Sequence, residues 1–209
     1  MSDRRNQGFG TVKEIQKLLD TMCLGPYMFQ KAAVLRDSML VGTLLSCSEA
    51  WYSITEVQLG QLEQVDKALW CNLLEIARTV PYDLVCLKFG LEPLRYIIMK
   101  RRLIYLQQKE SSLIRKFLKT QIINLKKKDW GKTIEEDLLH LDIQMTFEDI
   151  EQMSKNKYKE LIKKKIKEHA LKYLVDKKNN RNGKGMKLLH SKLEIQNYLK
   201  YEDGEVNIF

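Results

Sequence analysis

Residues that break regular structure are scarce in this sequence, which has only 3 prolines and 10 glycines among 209 residues. An all-β protein with many tight turns needs more of both, because such turns depend on their backbone conformations. Hydrophobic residues nevertheless make up 44% of the chain, enough for a core, which argues against wholesale disorder. The composition therefore favours long helices around a buried core.

Cysteine and histidine are too few and too scattered to indicate a zinc site. The four cysteines form no CxxC pair and have no histidine nearby, so we expect free thiols in a reducing compartment. No uninterrupted apolar run approaches about 18 residues, and no apolar segment follows the basic start MSDRRNQGFG. We therefore expect a soluble protein with no membrane span or secretory signal, located inside the cell in the nucleus or cytoplasm and not secreted.

Signatures of catalysis are missing as well. Two-metal polymerases and nucleases require clustered carboxylates on rigid elements. The acidic groups at 135–137 and 148–151 instead fall in the first turns of predicted helices, where acids complement the helix dipole. The chain contains no Asp-Asp pair, nucleophile elbow or phosphate-binding loop. We therefore predict no catalytic residue, no metal ligand and no cofactor.

Apolar periodicity predicts an all-α protein, a helical bundle followed by a charged, amphipathic helical region. The expected divisions are a flexible arm (1–10), the bundle (11–107), a basic helical region (112–200) and a tail (201–209). Capping signals mark helix starts at Thr11, Thr55, Thr133, Thr146 and Ser154. The predicted helices are 11–23, 28–50, 55–78, 81–89, 93–108, 113–123, 133–141, a short one after 146, 154–175 and 188–199, with a linker at 177–187.

Positive charge is concentrated in one predicted helix. The formal net charge is +9, and ten lysines against three acidic residues between 155 and 178 account for most of it. A lysine face of this density suits a phosphate backbone, whereas the alternatives are a solvated helix face or a membrane-surface helix. The predicted nucleic-acid contacts are Arg101, Arg102, Arg115, Lys116, Lys126, Lys127, Lys128, Lys155, Lys159, Lys163, Lys164 and Lys167.

A series of ordered motifs occupies residues 25–70. They are Gly25-Pro26-Tyr27, the run from Val34 to Leu40 (VLRDSML), the run from Leu44 to Tyr52 (LLSCSEAWY) and Leu62-Glu63-Gln64-Val65-Asp66. In this order and spacing they resemble the segment that follows the palm in reverse transcriptases of non-LTR retrotransposons. Weaker matches cover most of the remaining chain, at 84–90, 93–98, 101–103, 129–130, 146–150 and 153–174.

The resemblance implies the helical thumb and its C-terminal continuation, which hold a template–primer duplex against the palm. It supplies no catalytic residue here, because the family's carboxylates lie upstream in the palm, and many relatives carry a cysteine-rich segment further downstream. The expected function is therefore non-specific nucleic-acid binding by a fragment related to RNA-directed DNA polymerases and inactive by itself.

Two other interpretations stay open. The chain is alternatively a helical interaction module whose apolar surface contacts a reverse-transcriptase palm or a second copy of itself. It is otherwise a retroelement relic without selected function. Trp51 and Trp70 are expected to anchor the core in any of these cases, since both fall in strongly apolar helices.

Overall fold

The fold is known from a computed structural model that describes residues 2–22, 27–51, 54–75, 77–108 and 130–179. Every regular element among these residues is helical, so the predicted all-α fold class is confirmed. A π-helical turn, Arg36–Leu40, joins α2 to α3, and a 3-10 turn, Ser48–Ala50, follows α3. The helices are α1 Ser2–Thr21, α2 Met28–Leu35, α3 Val41–Leu44, α4 Glu56–Leu73, α5 Tyr82–Phe89, α6 Leu94–Gln108, α7 Trp130–His140, α8 Phe147–Gln152 and α9 Lys155–Asn179.

Helix α1 begins much earlier than the sequence pattern indicated. Residues 2–10 are its first half, so the prediction of a flexible arm was wrong. Thr11 lies inside the helix instead of capping it, and its hydroxyl donates to a carbonyl one turn earlier at 3.2 Å. Glycine disfavours an isolated helix, but Gly8 brings α1 close to Leu44 and Val65. Tertiary packing therefore stabilises a segment whose local sequence favours a loop.

The chain between residues 28 and 50 is not the single helix that its apolar residues predicted. After α2, the π-helical turn and α3, the backbone leaves the helical conformation, and Cys47 adopts the left-handed region with φ of 56°. The segment 45–51, which we call the 45–51 turn, then leads toward α4. Its carbonyl groups are bound by side chains from distant helices, a stabilisation that local sequence does not reveal.

Local signals located the next helices well. The predicted capping box is present: the Thr55 hydroxyl accepts from the Gln58 amide at 3.2 Å, and the Gln58 side chain accepts from the Thr55 amide at 3.0 Å. Helix α4 ends at Leu73, five residues before its predicted end, and Glu75 follows with φ of 52°. Gly90 ends α5 in the left-handed conformation, with φ of 62°.

The later helices show one wrong start and two correct ones. Thr133 lies inside α7 rather than at its N-cap, so that predicted cap was wrong. Thr146 caps α8 in a capping box with Asp149, and the Ser154 hydroxyl accepts from an amide in the first turn of α9 at 3.4 Å. Helix α9 extends to Asn179, past the predicted end at 175. The helices predicted at 113–123 and 188–199 lie outside the described residues.

Two hydrophobic clusters fill the interior, and helices α6 and α9 contribute to both. The first cluster joins α1 to α5 with one face of α6 and with Leu174 of α9. The second joins Tyr96 and Leu103 of α6 to α7, α8 and the remaining buried face of α9. Trp70 is fully buried in the first cluster and Trp51 packs at its edge, as expected of core anchors. Helix α9 is thereby fixed along one side of the molecule.

Candidate nucleic-acid interface

Helix α9 presents one buried ridge to the protein, formed by every fourth residue. Its members have exposures of 5% or less, and they pack into the two clusters described above. Because four residues advance an α-helix by slightly more than one turn, such residues lie one above another. The predicted apolar stripe is therefore confirmed in these buried members: Tyr158, Ile162, Ile166, Ala170 and Leu174.

The two sides of this ridge differ in exposure. On one side, the residues between Leu161 and Tyr173 at four-residue spacing are half-buried against the rest of the molecule. On the other side, four lysines at the same spacing are exposed, and Leu171 and Val175 continue their line, 58% and 38% exposed. Successive members stand about 6 Å apart along the helix axis. We call these four residues the lysine row: Lys155, Lys159, Lys163 and Lys167.

The outer face of α9, opposite the ridge, is close to electrically balanced. This face has six positions at four-residue spacing. Negative and positive residues alternate along it, from a neutral first position to an acidic last one: Asn156, Glu160, Lys164, Glu168, Lys172 and Asp176. Lys164 was predicted as a nucleic-acid contact together with the row, but it lies between two glutamates one turn away on either side. The lysine row is therefore the longest line of like charge on the exposed surface of α9, and Lys157 and Lys177 are exposed outside it.

Arg102 is a structural residue, and its prediction as a nucleic-acid contact was wrong. It is only 5% exposed, and its Nε and one terminal nitrogen each donate to the carboxylate of Asp137 at 2.8 Å. The other terminal nitrogen donates to the Trp51 carbonyl at 3.2 Å. Burial raises the pKa of Asp137 to about 6, although the neighbouring guanidinium opposes this rise. A guanidinium with all these partners inside the protein cannot reach a phosphate.

Arg101, also predicted as a contact, is half-buried and binds the 45–51 turn. One of its terminal nitrogens donates to the Leu45 carbonyl at 2.6 Å. Arg4 of α1 donates to the Ser46 carbonyl at 2.5 Å and lies over the ring of Trp51, and Trp130 of α7 donates to the Glu49 carbonyl at 2.7 Å. Arginine side chains from α1 and α6 thus satisfy carbonyl groups that have no intrahelical donor, and in this way they stabilise the 45–51 turn.

Five predicted contacts lie outside the described residues, and the others divide between surface and interior. The lysine row and Lys164 are exposed on α9, whereas Arg101 and Arg102 hold the fold together. The predicted residues outside the described ranges are Arg115, Lys116, Lys126, Lys127 and Lys128.

A buried polar cluster was missed by the sequence reasoning. Arg36 and Asp66, 1% and 0% exposed, form a two-pronged ion pair with N–O distances of 2.8 and 2.6 Å. The Tyr82 hydroxyl donates to the same carboxylate at 2.7 Å and accepts from the Leu94 amide at 3.2 Å. Burial raises the pKa of Tyr82 well above its ordinary value, so this hydroxyl remains a donor. Closed to solvent, the cluster connects the π-helical turn with α4, α5 and α6.

Glu63 of α4 is a half-buried carboxylate whose pKa is raised by its surroundings. Burial raises its pKa to about 7; Arg95 opposes this rise, and Asp83, Glu56 and Asp66 add to it. Arg95 itself donates to the exposed Glu56 carboxylate at 2.8 Å. Arg95 also lies over the ring of Tyr173 in α9, and the Tyr173 hydroxyl donates to Asp83 at 3.5 Å, so this group of charges adjoins α9.

Neither metal binding nor membrane spanning is indicated within the residues described. Those ranges contain no group of three or more histidine, cysteine or carboxylate side chains arranged to hold a metal ion. They also contain no helix that combines the length and the apolar character needed to cross a bilayer.

No protein-family model, curated protein or solved structure matches this chain. Among the surfaces described above, the lysine row has the clearest chemical preference, because it presents four like charges in a line on a rigid helix.

Proposed function

We propose that this chain is a reverse-transcriptase-derived helical module that binds nucleic acid without sequence preference and is catalytically inactive by itself. The observation that carries the proposal is the lysine row on α9. Four exposed lysines follow one line on a helix whose ridge is buried and whose outer face is nearly balanced in charge. The partner is RNA, DNA or a hybrid duplex, and the protein acts inside the cell, in the nucleus or cytoplasm.

The chemistry of lysine supports binding without sequence preference. An ammonium group is a point charge on a flexible stem, so it follows a phosphate wherever the backbone places it. Neutralising phosphates releases condensed counterions, which favours association independently of base sequence. Phosphate contacts position a protein on nucleic acid, whereas sequence is read through base edges. The row is therefore suited to holding a strand and not to selecting a site on it.

The resemblance to thumb regions supports the same proposal. Two polar residues of its motifs, Arg36 and Asp66, form the buried ion pair, and the matching 45–51 turn is fixed by three arginines and a tryptophan. These interactions make a rigid scaffold, which is what a thumb requires to hold a duplex. A separate palm would have to supply any polymerase chemistry.

A membrane surface fits α9 less well. A helix that lies on a bilayer buries its apolar face among the acyl chains. The apolar ridge of α9 is already buried in the protein, and only Leu171 and Val175 are exposed at the end of the row. This arrangement favours a hydrophilic polyanion.

Fluorescence anisotropy with RNA–DNA hybrids of unrelated sequence tests the proposal. We expect comparable affinities for the different sequences, and we expect the triple variant Lys159→Glu, Lys163→Glu, Lys167→Glu to lose binding while keeping its helical circular dichroism. Absence of binding at low salt would refute the proposal. Self-association in sedimentation without duplex binding would favour the interaction-module alternative.

A further inference from the structure

We propose that the ligand of α9 is one continuous phosphodiester strand that lies along the lysine row, an inference that rests on the proposed function and specifies its ligand. The row runs from Lys155 to Lys167, a separation of twelve residue steps, and is one side chain wide. A helix advances about 1.5 Å per residue, so the row extends about 18 Å. A strand of a duplex presents one phosphate about every 3.4 Å of axis, so the row covers about five phosphates.

The surfaces on either side of the row limit the ligand to one strand. On the outer side the charges alternate, with Lys164 and Lys172 between the acidic residues, so that face offers no line of positive charge to a second phosphate backbone. On the inner side lies the buried ridge, beyond which the residues from Leu161 to Tyr173 at four-residue spacing are half-buried against the protein, while Lys157 is exposed near the start of the helix. A duplex can therefore contact α9 through one of its strands, and a single strand can bind in the same way.

The end of the row sets the length of the contact. Beyond Lys167 the same line continues with Leu171 and Val175, which offer a phosphate no charge or hydrogen bond. At the other end, the helix begins at Lys155. A strand longer than about six nucleotides consequently gains no further contacts from the row.

Two matched double variants test the inference. Lys159→Gln with Lys163→Gln removes two charges from the row, whereas Lys164→Gln with Lys172→Gln removes two charges from the outer face. All four side chains are exposed, so neither pair disturbs the core. Binding is measured by anisotropy across salt concentrations, on a single strand of about 20 nucleotides and on a hybrid duplex of about 20 base pairs.

The row variant should weaken binding to either probe about tenfold and should reduce the salt slope by about 1.4 on the single strand and about 1.8 on the duplex. The outer-face variant should change affinity less than about twofold. If the row variant binds both probes more weakly, the row is a general site for a phosphodiester strand. If it binds only one probe more weakly, the row is selective for that form.

Equal losses of affinity in the two double variants would overturn the inference, because the total charge of α9, and not the row, would then determine binding. The proposed function would survive that result. Absence of binding by the unmodified protein would overturn both. Binding of phosphatidylserine vesicles, lost in the row variant and unaccompanied by oligonucleotide binding, would replace the strand with a lipid surface. The predicted contact of about six nucleotides would be contradicted if the affinity for single strands kept rising by the same factor per nucleotide beyond about ten nucleotides.

Discussion

At the scale of single residues, four arginines of the described helices differ in their surroundings from the lysine row. Arg36 and Arg102 are buried, and each donates hydrogen bonds from two nitrogens to one aspartate. Arg4 and Arg101 donate to backbone carbonyls of the 45–51 turn. A planar guanidinium suits such fixed, multiple hydrogen bonds, whereas an ammonium group is more strongly hydrated. This difference explains why these four arginines serve the fold and the lysine row faces solvent.

The first prediction concerns Glu63, whose pKa in the folded protein is about 7 against an ordinary value of 4.5. The folded state therefore binds the proton more tightly than the unfolded chain, and stability present below about pH 4.5 is lost as the pH rises through 7. Glu63→Gln removes this loss. The variant should match the unmodified protein near pH 4.5 and exceed it by about 1 to 3 kcal/mol near pH 8.

Denaturant unfolding at several pH values measures this difference, with Glu14→Gln on the exposed side of α1 as the control. The control should change the free energy of unfolding little at either pH. A Glu63→Gln effect of the same size at pH 4.5 and pH 8 would show that the carboxylate does not titrate as described.

At the scale of elements, α1 is the part whose role differs most from its sequence pattern. Its first half lies against α3 and α4 through Gly8, and its Arg4 binds the 45–51 turn. The helix thus stabilises the turn at the centre of the LLSCSEAWY motif. Residues 2–10 are accordingly part of a packed helix and not a flexible arm.

The second prediction compares two glycines in α1. An added Cβ at Gly8 would lie 2.5 Å from a side-chain carbon of Leu44 and 2.9 Å from one of Val65, whereas nothing lies within 4 Å of an added Cβ at Gly10. Gly8→Ala should therefore destabilise the protein by about 1 to 3 kcal/mol despite the better helix propensity of alanine. Gly10→Ala should stabilise it by up to about 1 kcal/mol.

Thermal and denaturant unfolding of the two variants provide the comparison. Because both substitutions are chemically identical and lie two residues apart, helix propensity alone predicts the same sign for both. Stabilisation by Gly8→Ala as large as that by Gly10→Ala would mean that the start of α1 is not packed against α3 and α4.

At the scale of the whole molecule, the two hydrophobic clusters are joined by the helices that they share. Helix α9 places Ile162 in the second cluster and Leu174 in the first, and α6 contributes to both in the same way. Arg102 and Asp137 add a buried ion pair between α6 and α7. Loss of either cluster would expose apolar surface of the other, so we expect one cooperative unit.

The third prediction is a single unfolding transition for the protein. Leu174→Ala and Ile162→Ala should each shift that same transition by about 2 to 5 kcal/mol, since each leaves a cavity in a shared core. Far-ultraviolet circular dichroism and tryptophan fluorescence should report coincident curves. Two separate transitions, each moved by only one of the substitutions, would contradict the description of one unit.

Local signals in the sequence predicted much of the fold. The capping boxes at Thr55 and Thr146, the glycine after α5 and the four-residue ridge of α9 all depend on neighbours within a few residues. Predictions failed where distant contacts decide the outcome. Gly8 is helical because of Leu44 and Val65, which lie far along the chain.

The same distinction applies to the candidate site. The periodicity of apolar residues identified the lysine-rich helix and its apolar stripe. It could not reveal which side of the stripe is half-buried against the rest of the protein. That asymmetry follows from α9 docking on α5 and α6, and it separates the lysine row from the half-buried side. Likewise, the sequence near Arg102 gives no sign of an acidic partner, because that partner, Asp137, is 35 residues away and is brought close only by the fold.

The dependence of nucleic-acid affinity on salt concentration tests the central claim most directly. If the lysine row holds a phosphate backbone, the logarithm of the association constant should fall linearly with the logarithm of salt concentration, with a slope of about −3 to −4 on a hybrid duplex. This slope should be the same for duplexes of unrelated sequence, because ion release does not depend on base identity. A slope near zero, or no binding at low salt, would contradict the account.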